Sequence, residues 1–199
     1  MINIIKNFSC YNFFMNLIIS FDQQLTHLLK NLFPNLSYFN QFFSFFSLKG
    51  NSLIIWILVI ILVVILEEKK NPGISKNDKK FLIVFSLSFL ITVFLVEIPL
   101  KNLFQRPRPV SFLNKFQLLS TCPNNSSFPS GHSATAFAAS TVLSFFHKKR
   151  KWLYYSIATL IAYSRIYLGC HYFFDVVFGA FFGWLMAKLF IKIASFLTF

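Results

Sequence analysis

The sequence predicts an all-α integral membrane bundle, and three observations carry that prediction. Of its 199 residues 56% are hydrophobic and only 13% charged, with a mean hydropathy of +0.61, a balance too apolar for a water-soluble domain of this size. The apolar residues gather into runs close to the roughly 20 residues that cross a hydrocarbon core. The lysines and arginines gather instead in short connections between those runs, where they set orientation. The expected organisation is an amphipathic interfacial region over residues 1–50, followed by a membrane-embedded domain of five spans over residues 51–199.

The N-terminal stretch carries Lys6 and a mixed run to Phe21. No small-residue cleavage site follows it, so it does not read as a removable signal peptide. Asn7 to Phe21 is a candidate sixth span, diluted by asparagines. Next, "FDQQLTHLLKNLF" sets Leu25, Leu28, Leu29 and Leu32 on one helical face, and "PNLSYFNQFFSFF" opens at a proline suited to a helix start. Both read as amphipathic helices lying in the membrane interface.

The five spans follow in order as Asn51 to Leu66, Phe81 to Leu100, Gly131 to Phe146, Trp152 to Leu168 and Tyr172 to Phe190. The third is the least hydrophobic, and its Ala134/Ala138 spacing suits close packing against another helix. Gly179, Gly183 and Ala187 give the fifth span the same small-residue face. Two connections are basic. The first holds Lys69, Lys70, Lys76, Lys79 and Lys80; the second holds Lys148, Lys149, Arg150 and Lys151. Both are expected on the cytoplasmic side, with Lys188 and Lys192 at the cytoplasmic end of the last span. The connections 101–130 and 169–171 then fall on the outer side.

The formal charge of +13 suits nucleic acid in a soluble protein, but no basic face interleaved with stacking aromatics is present, so a nucleic-acid partner is excluded. Cys10, Cys122 and Cys170 form no CxxC pair and no metal-ligand spacing; they read first as small apolar fillers. Because Cys122 and Cys170 both map to the outer connections, a disulfide between them is an alternative.

The costly polar residues concentrate on that outer side. "KNLFQRPRP" places Lys101 at a span end and Arg108-Pro109 seven residues on; "PSGH", Pro129 to His132, opens the third span; "SRIYLGCHYFFD" carries Ser164, Arg165, His171 and Asp175. Lys101, Arg108 and Arg165 supply three positive charges from three helix ends. Pro129 favours a first helical turn, and the N–H groups of Ser130, Gly131 and His132 face outward at the positive end of a helix dipole, an arrangement that suits phosphate. Gly131 lets an oxyanion approach the backbone. His171 and Asp175, four apart, share a helical face. The carboxylate is expected to accept a hydrogen bond from one imidazole nitrogen and leave the other as a nucleophile, while His132 acts as the general acid. Glu97, four before Lys101, reads as that lysine's helical partner, with proton handling as the alternative. Arg106 reads as a headgroup contact, and His27 and His147 as bystanders.

In order and spacing these groups resemble the signature of the type 2 phosphatidic acid phosphatase superfamily, K-x6-RP, PSGH and SR-x5-H-x3-D. All eleven specified positions are filled, by Lys101, Arg108, Pro109, Pro129, Ser130, Gly131, His132, Ser164, Arg165, His171 and Asp175. The resemblance covers residue 50 to the end. It implies a helical bundle with catalytic His171, His132 and Asp175, and phosphate binding by Lys101, Arg108, Ser130, Gly131 and Arg165. It further implies a phosphohistidine on His171, no metal or other cofactor, and a phosphorylated lipid as substrate, here at the outer face of a bacterial cytoplasmic membrane. A phosphotransferase that passes the phosphoryl group to another hydroxyl, and a non-catalytic scaffold with a relic site, are the competing readings. Vanadium haloperoxidases share this site chemistry, but the spans argue against them. Headgroup choice is expected in the connection Val110 to Phe128, which holds Lys115. The lipid itself and the oligomeric state are not legible.

Overall fold

A computed structural model describes residues 2–47, 51–68, 76–109, 122 and 124–196. Among these every regular element is helical. In chain order they are α1 (Ile2–Lys30), α2 (Ser37–Ser47), α3 (Asn51–Glu68), α4 (Lys76–Leu95), α5 (Lys101–Phe104), α6 (Gly131–Phe146), α7 (Lys151–Tyr167) and α8 (Phe173–Phe196). A π-helical turn, Val96–Leu100, joins α4 to α5, and a 3₁₀ turn, Lys148–Arg150, precedes α7. Most of the connection expected to choose the headgroup, including Lys115, and the loop lysines Lys69 and Lys70 lie outside the described residues.

The third predicted span is α6, with the same bounds. At about 1.5 Å per residue its 16 residues reach only about 24 Å, less than a bilayer core. Its position explains this: α4, α7 and α8 pack around it, and ten of its residues from Ser133 to Leu143 are buried. Most of its hydroxyls bond within the helix: Thr135 donates to the Gly131 carbonyl at 2.9 Å, Ser140 to the Phe137 carbonyl at 3.1 Å and Thr141 to the same carbonyl at 2.6 Å, so a buried helix carries these three without orphaned polar groups.

Close approach of α8 to α6 rests on the predicted small-residue face. A side chain at Gly179 would strike the Ser130 backbone, and one at Gly183 the Ala134 backbone, which is the physical requirement for glycine at both positions. The outer helices present aliphatic surface instead: Leu58, Ile61 and Leu62 on α3, Leu87 and Leu90 on α4, and Phe178, Phe181 and Leu189 on α8 are all exposed. Among the described residues two helical stretches are long and apolar enough to cross a membrane, Asn77–Phe104 and Phe173–Phe196; Ile54–Ile65 is a shorter apolar one.

The bundle has two chemically different ends. At one, Phe81 at the start of the apolar part of α4 meets Phe146 and His147 beside the basic turn Lys148–Arg150. At the other, Phe104 meets Phe128, and the connections that carry the signature residues converge. α1 and α2 pack against α7, and α1 also against α8. Tyr163 donates to the Leu29 carbonyl at 2.7 Å, and Tyr167 to Asn40 at 2.8 Å.

Candidate active site

Local chain geometry delivers each signature residue to this end. α7 terminates in a Schellman turn: Gly169, with φ +70°, lets its N–H reach the Ile166 carbonyl at 2.9 Å while the Cys170 N–H reaches that of Arg165 at 3.0 Å. The reversal carries His171 back over the bundle end, where it is buried. At the end of α5 the chain turns at Gln105, in the left-handed region with φ +45°, and feeds Arg106 and Arg108 inward. Ser130 caps α6, its hydroxyl accepting from the Ser133 N–H at 3.4 Å. Pro129 stands before the cap rather than in the first turn.

His171 is held by two contacts that fix its tautomer. Its Nδ1 lies 2.6 Å from the carbonyl oxygen of Ser127. A carbonyl only accepts, so Nδ1 carries the proton and Nε2 is bare. Nε2 faces the Nη1 of Arg108 at 3.1 Å. Burial first, then the charges of Arg108, Arg165 and Lys101, hold the His171 imidazole well below its ordinary value of 6.5, so it is neutral at neutral pH.

The orienting group differs from the expected one. Asp175 lies 3.7 Å from His171 Nδ1, beyond a hydrogen bond. Its Oδ2 instead accepts from the Tyr172 N–H at 2.9 Å, the N3-to-N-cap half of a capping box, and its Oδ1 takes Arg106 Nη1 at 2.6 Å. Sequence spacing sets both side chains on one helical face, but His171 precedes the first turn of α8, so the helical geometry assumed for the pair does not apply. The expected cradle is also altered. The Ser130 N–H donates to the Asp175 carbonyl at 3.0 Å, which removes it from the outward-facing set of Ser130, Gly131 and His132.

The cations converge. Arg108 donates from Nη1 to the Cys170 carbonyl at 2.8 Å, from Nε to the Asn125 carbonyl at 2.9 Å, and from Nη2 to Asn125 Oδ1 at 2.7 Å; burial pushes its pKa down to about 10, which leaves it charged. Lys101 is 5% exposed and pairs with Glu97 at 2.6 Å, as its spacing predicts. Arg165 is fully buried and donates from Nη1 to the carbonyl of Ser47 at 2.7 Å and to its hydroxyl. His132 lies in the electrostatic field of Arg165, His171, Lys101 and Arg108.

Two residues that the sequence does not single out, Asp22 and Thr26, complete the site's frame with Arg106, which the sequence reads as a headgroup contact and which instead forms ion pairs inside the protein. Arg106 bridges Asp175 and the buried Asp22 of α1, at 2.6 and 2.7 Å, and stacks over the Tyr172 ring at 4.0 Å. Asp22 also accepts from the Phe174 N–H, and Thr26 from the Phe173 N–H, each at 2.9 Å. The first-turn donors of α8 are therefore satisfied by side chains of α1. The available signal was scarcity: Asp22, Glu97 and Asp175 are three of only six acidic residues. The connection is braced by a disulfide between Cys122 and Cys170, so these two are not the apolar fillers of the first reading. Among the described residues no group of three or more His, Cys, Asp or Glu side chains is placed to hold a metal ion.

The chain as a whole is similar to several known proteins. The chain is 30% identical over 178 residues to an undecaprenyl-diphosphatase of Sulfolobus acidocaldarius, covering 89% of this chain and 80% of that protein. It is 36% identical over 86 residues, 39% of this chain and 42% of the other, to the bacitracin transport permease protein BcrC of Bacillus licheniformis. The crystal structure of Aquifex aeolicus LpxE superposes with a TM-score of 0.62 at 30% identity, covering 85% of this chain and 94% of that one. The first transmembrane PAP2 type phosphatidylglycerolphosphate phosphatase from Bacillus subtilis gives 0.61 at 25% identity, with 92% and 89% covered. The family model of the PAP2 superfamily matches residues 81–199, more than half the chain, and this chain belongs to that superfamily.

Proposed function

We propose that the chain removes a phosphoryl group from a membrane lipid, without a metal, through a phosphohistidine on His171. The observation that carries this reading is the bare Nε2 of His171 beside Arg108, with Nδ1 committed to the Ser127 carbonyl. A neutral imidazole with one lone pair aimed among cations is a nucleophile for phosphorus rather than a structural histidine. Arg108, Lys101, Arg165 and the first-turn N–H groups of Gly131 and His132 bind the phosphoryl oxygens and stabilise charge during transfer. His171 Nε2 attacks phosphorus; the bond from phosphorus to the lipid oxygen breaks as His132 donates a proton to that oxygen. Neutral His132 then takes a proton from water, which cleaves the phosphorus–nitrogen bond and releases orthophosphate. Asp175 acts through Arg106 and the Tyr172 cap, as the residue that fixes the start of α8.

Phosphatidic acid, phosphatidylglycerol phosphate and polyprenyl diphosphate headgroups all fit such a cradle; the undecaprenyl-diphosphatase relative, similar across 89% of the chain, favours the diphosphate class. We place the site on the outer face of a bacterial cytoplasmic membrane, with α3, the α4–α5 stretch, α6, α7 and α8 as spans. α2, which exposes Tyr38, Phe42 and Phe45, lies in the interface. The basic turn Lys148–Arg150 at the opposite end and the disulfide beside His171 support this orientation. The test is phosphate release from purified protein in micelles with chelator present, across these lipids. Turnover is expected, greatest on polyprenyl diphosphate, and lost in His171→Ala; activity that needs added divalent metal contradicts the proposal.

A further inference from the structure

The phosphate cradle already faces an oxyanion that belongs to the protein. Glu97 sits on the π-helical turn between α4 and α5, a distortion that recurs at functional sites. Its Oε1 accepts from Lys101 Nζ at 2.6 Å, and its Oε2 from Asn125 Nδ2 at 3.2 Å. The same Asn125 accepts from Arg108 Nη2 at 2.7 Å, so the carboxylate is tied to two of the three cations that the cradle offers to a phosphoryl group. Oε1 also lies over Gly131 so closely that a β-carbon there would collide with it. That is the approach which the first residue of α6 offers to a phosphate oxygen. The lysine is buried, yet the Glu97 side chain is 40% exposed, so it can move out of the cradle as a phosphoryl oxygen takes its place beside Lys101, and the buried ammonium is never left unpaired.

We infer that Glu97 is a built-in competitor of the phosphoryl group for Lys101 and the α6 N-terminus. It moves aside when substrate binds and returns to expel orthophosphate after hydrolysis. This rests on the reading of the site as a phosphate cradle. The alternative role, a strut that merely places Lys101, makes the opposite prediction. Removing a strut weakens anion binding, whereas removing a competitor strengthens it.

The test is calorimetric titration of the purified protein in micelles with inorganic phosphate, beside the inhibition constant of phosphate against lipid turnover. E97Q is expected to bind phosphate at least about tenfold more tightly, because a like charge leaves the cradle, with KM for lipid falling in parallel. Unchanged or weaker phosphate binding in E97Q overturns the inference. If E97Q does not accumulate, E97D serves. Its carboxylate is one methylene short of spanning Lys101 and Gly131 together, so a smaller tightening is expected, and unchanged or weaker binding there overturns the inference equally. Because titration needs no turnover, the two readings fail separately. Tighter phosphate binding in E97Q with no lipid hydrolysis by the native chain leaves the competitor in place and removes the phosphatase. Hydrolysis with unaltered phosphate affinity does the reverse.

Discussion

A histidine attacks phosphorus only while one ring nitrogen is bare, and the surroundings of His171 keep it so as pH falls. Burial and the neighbouring Arg108, Arg165 and Lys101 charges oppose the imidazolium. The depressed pKa has a definite sign in activity: the neutral nucleophile persists below 6.5, so the acid limb of kcat/KM assigned to His171 is expected below that value, measured on a lipid diphosphate under steady-state conditions. A limb above 6.5 that disappears in a His171 variant contradicts it. The same depression bears on stability. Between the folded value and 6.5 the unfolded chain binds more protons than the folded one, so stability rises with pH across that window. At this scale the signature residues were legible because each signature group is contiguous in the chain. Their partners were not. Arg106 meets Asp175 across 69 positions and Asp22 across 84, and the acceptor for His171 is a backbone carbonyl, which no residue type announces.

An element fails where its ends are unsatisfied, and the start of α8 depends on another helix. Tyr172, Phe173 and Phe174 present N–H groups that Asp175, Thr26 and Asp22 accept. Thr26→Ala removes one such partner from a buried helix terminus and is expected to cost about 1 kcal/mol, read as a lower apparent Tm in micelles. Kinetic parameters fall together with His171 positioning if the start of α8 shifts; an unchanged Tm contradicts the capping role of α1. The bounds of α6 were legible to the residue from its apolar run, whereas α8 runs on past its predicted end at Phe190 to Phe196 and α1 joins in one helix the stretch Asn7 to Phe21 and the amphipathic segment after it. The π-helical turn at Val96–Leu100 was not legible, since Pro99 within an apolar run reads equally as an ordinary kink. Nor was the role of α1, because amphipathic patterning shows which face is apolar and not that a threonine on it will meet a distant helix start.

For the whole molecule the decisive property is polarity from end to end. Signature residues and the Cys122–Cys170 disulfide share one end, and the Lys148–Arg150 turn marks the other. The disulfide joins positions 48 apart and ties the segment before α6 to the residue preceding His171, so Cys122→Ser with Cys170→Ser is expected to lower stability by about 2–4 kcal/mol. A membrane-impermeant reductant added to sealed right-side-out vesicles should reduce lipid turnover as detergent-opened vesicles show it; inhibition only after opening places the site on the inner face. The bundle itself was legible from composition and charge segregation. Its depth was not: α6 is shielded by its neighbours, so its short length and its hydroxyls, which read as weak hydropathy, reflect burial within protein.

The most direct measurement is covalent trapping. Purified protein is mixed with a lipid diphosphate radiolabelled at its terminal phosphorus, in chelator, quenched in alkali and mapped by peptide. Label that survives base, is lost in acid and resides on His171 is expected, with none in His171→Ala. Brisk phosphate release with no label on His171, or label on another residue, contradicts the phosphohistidine pathway.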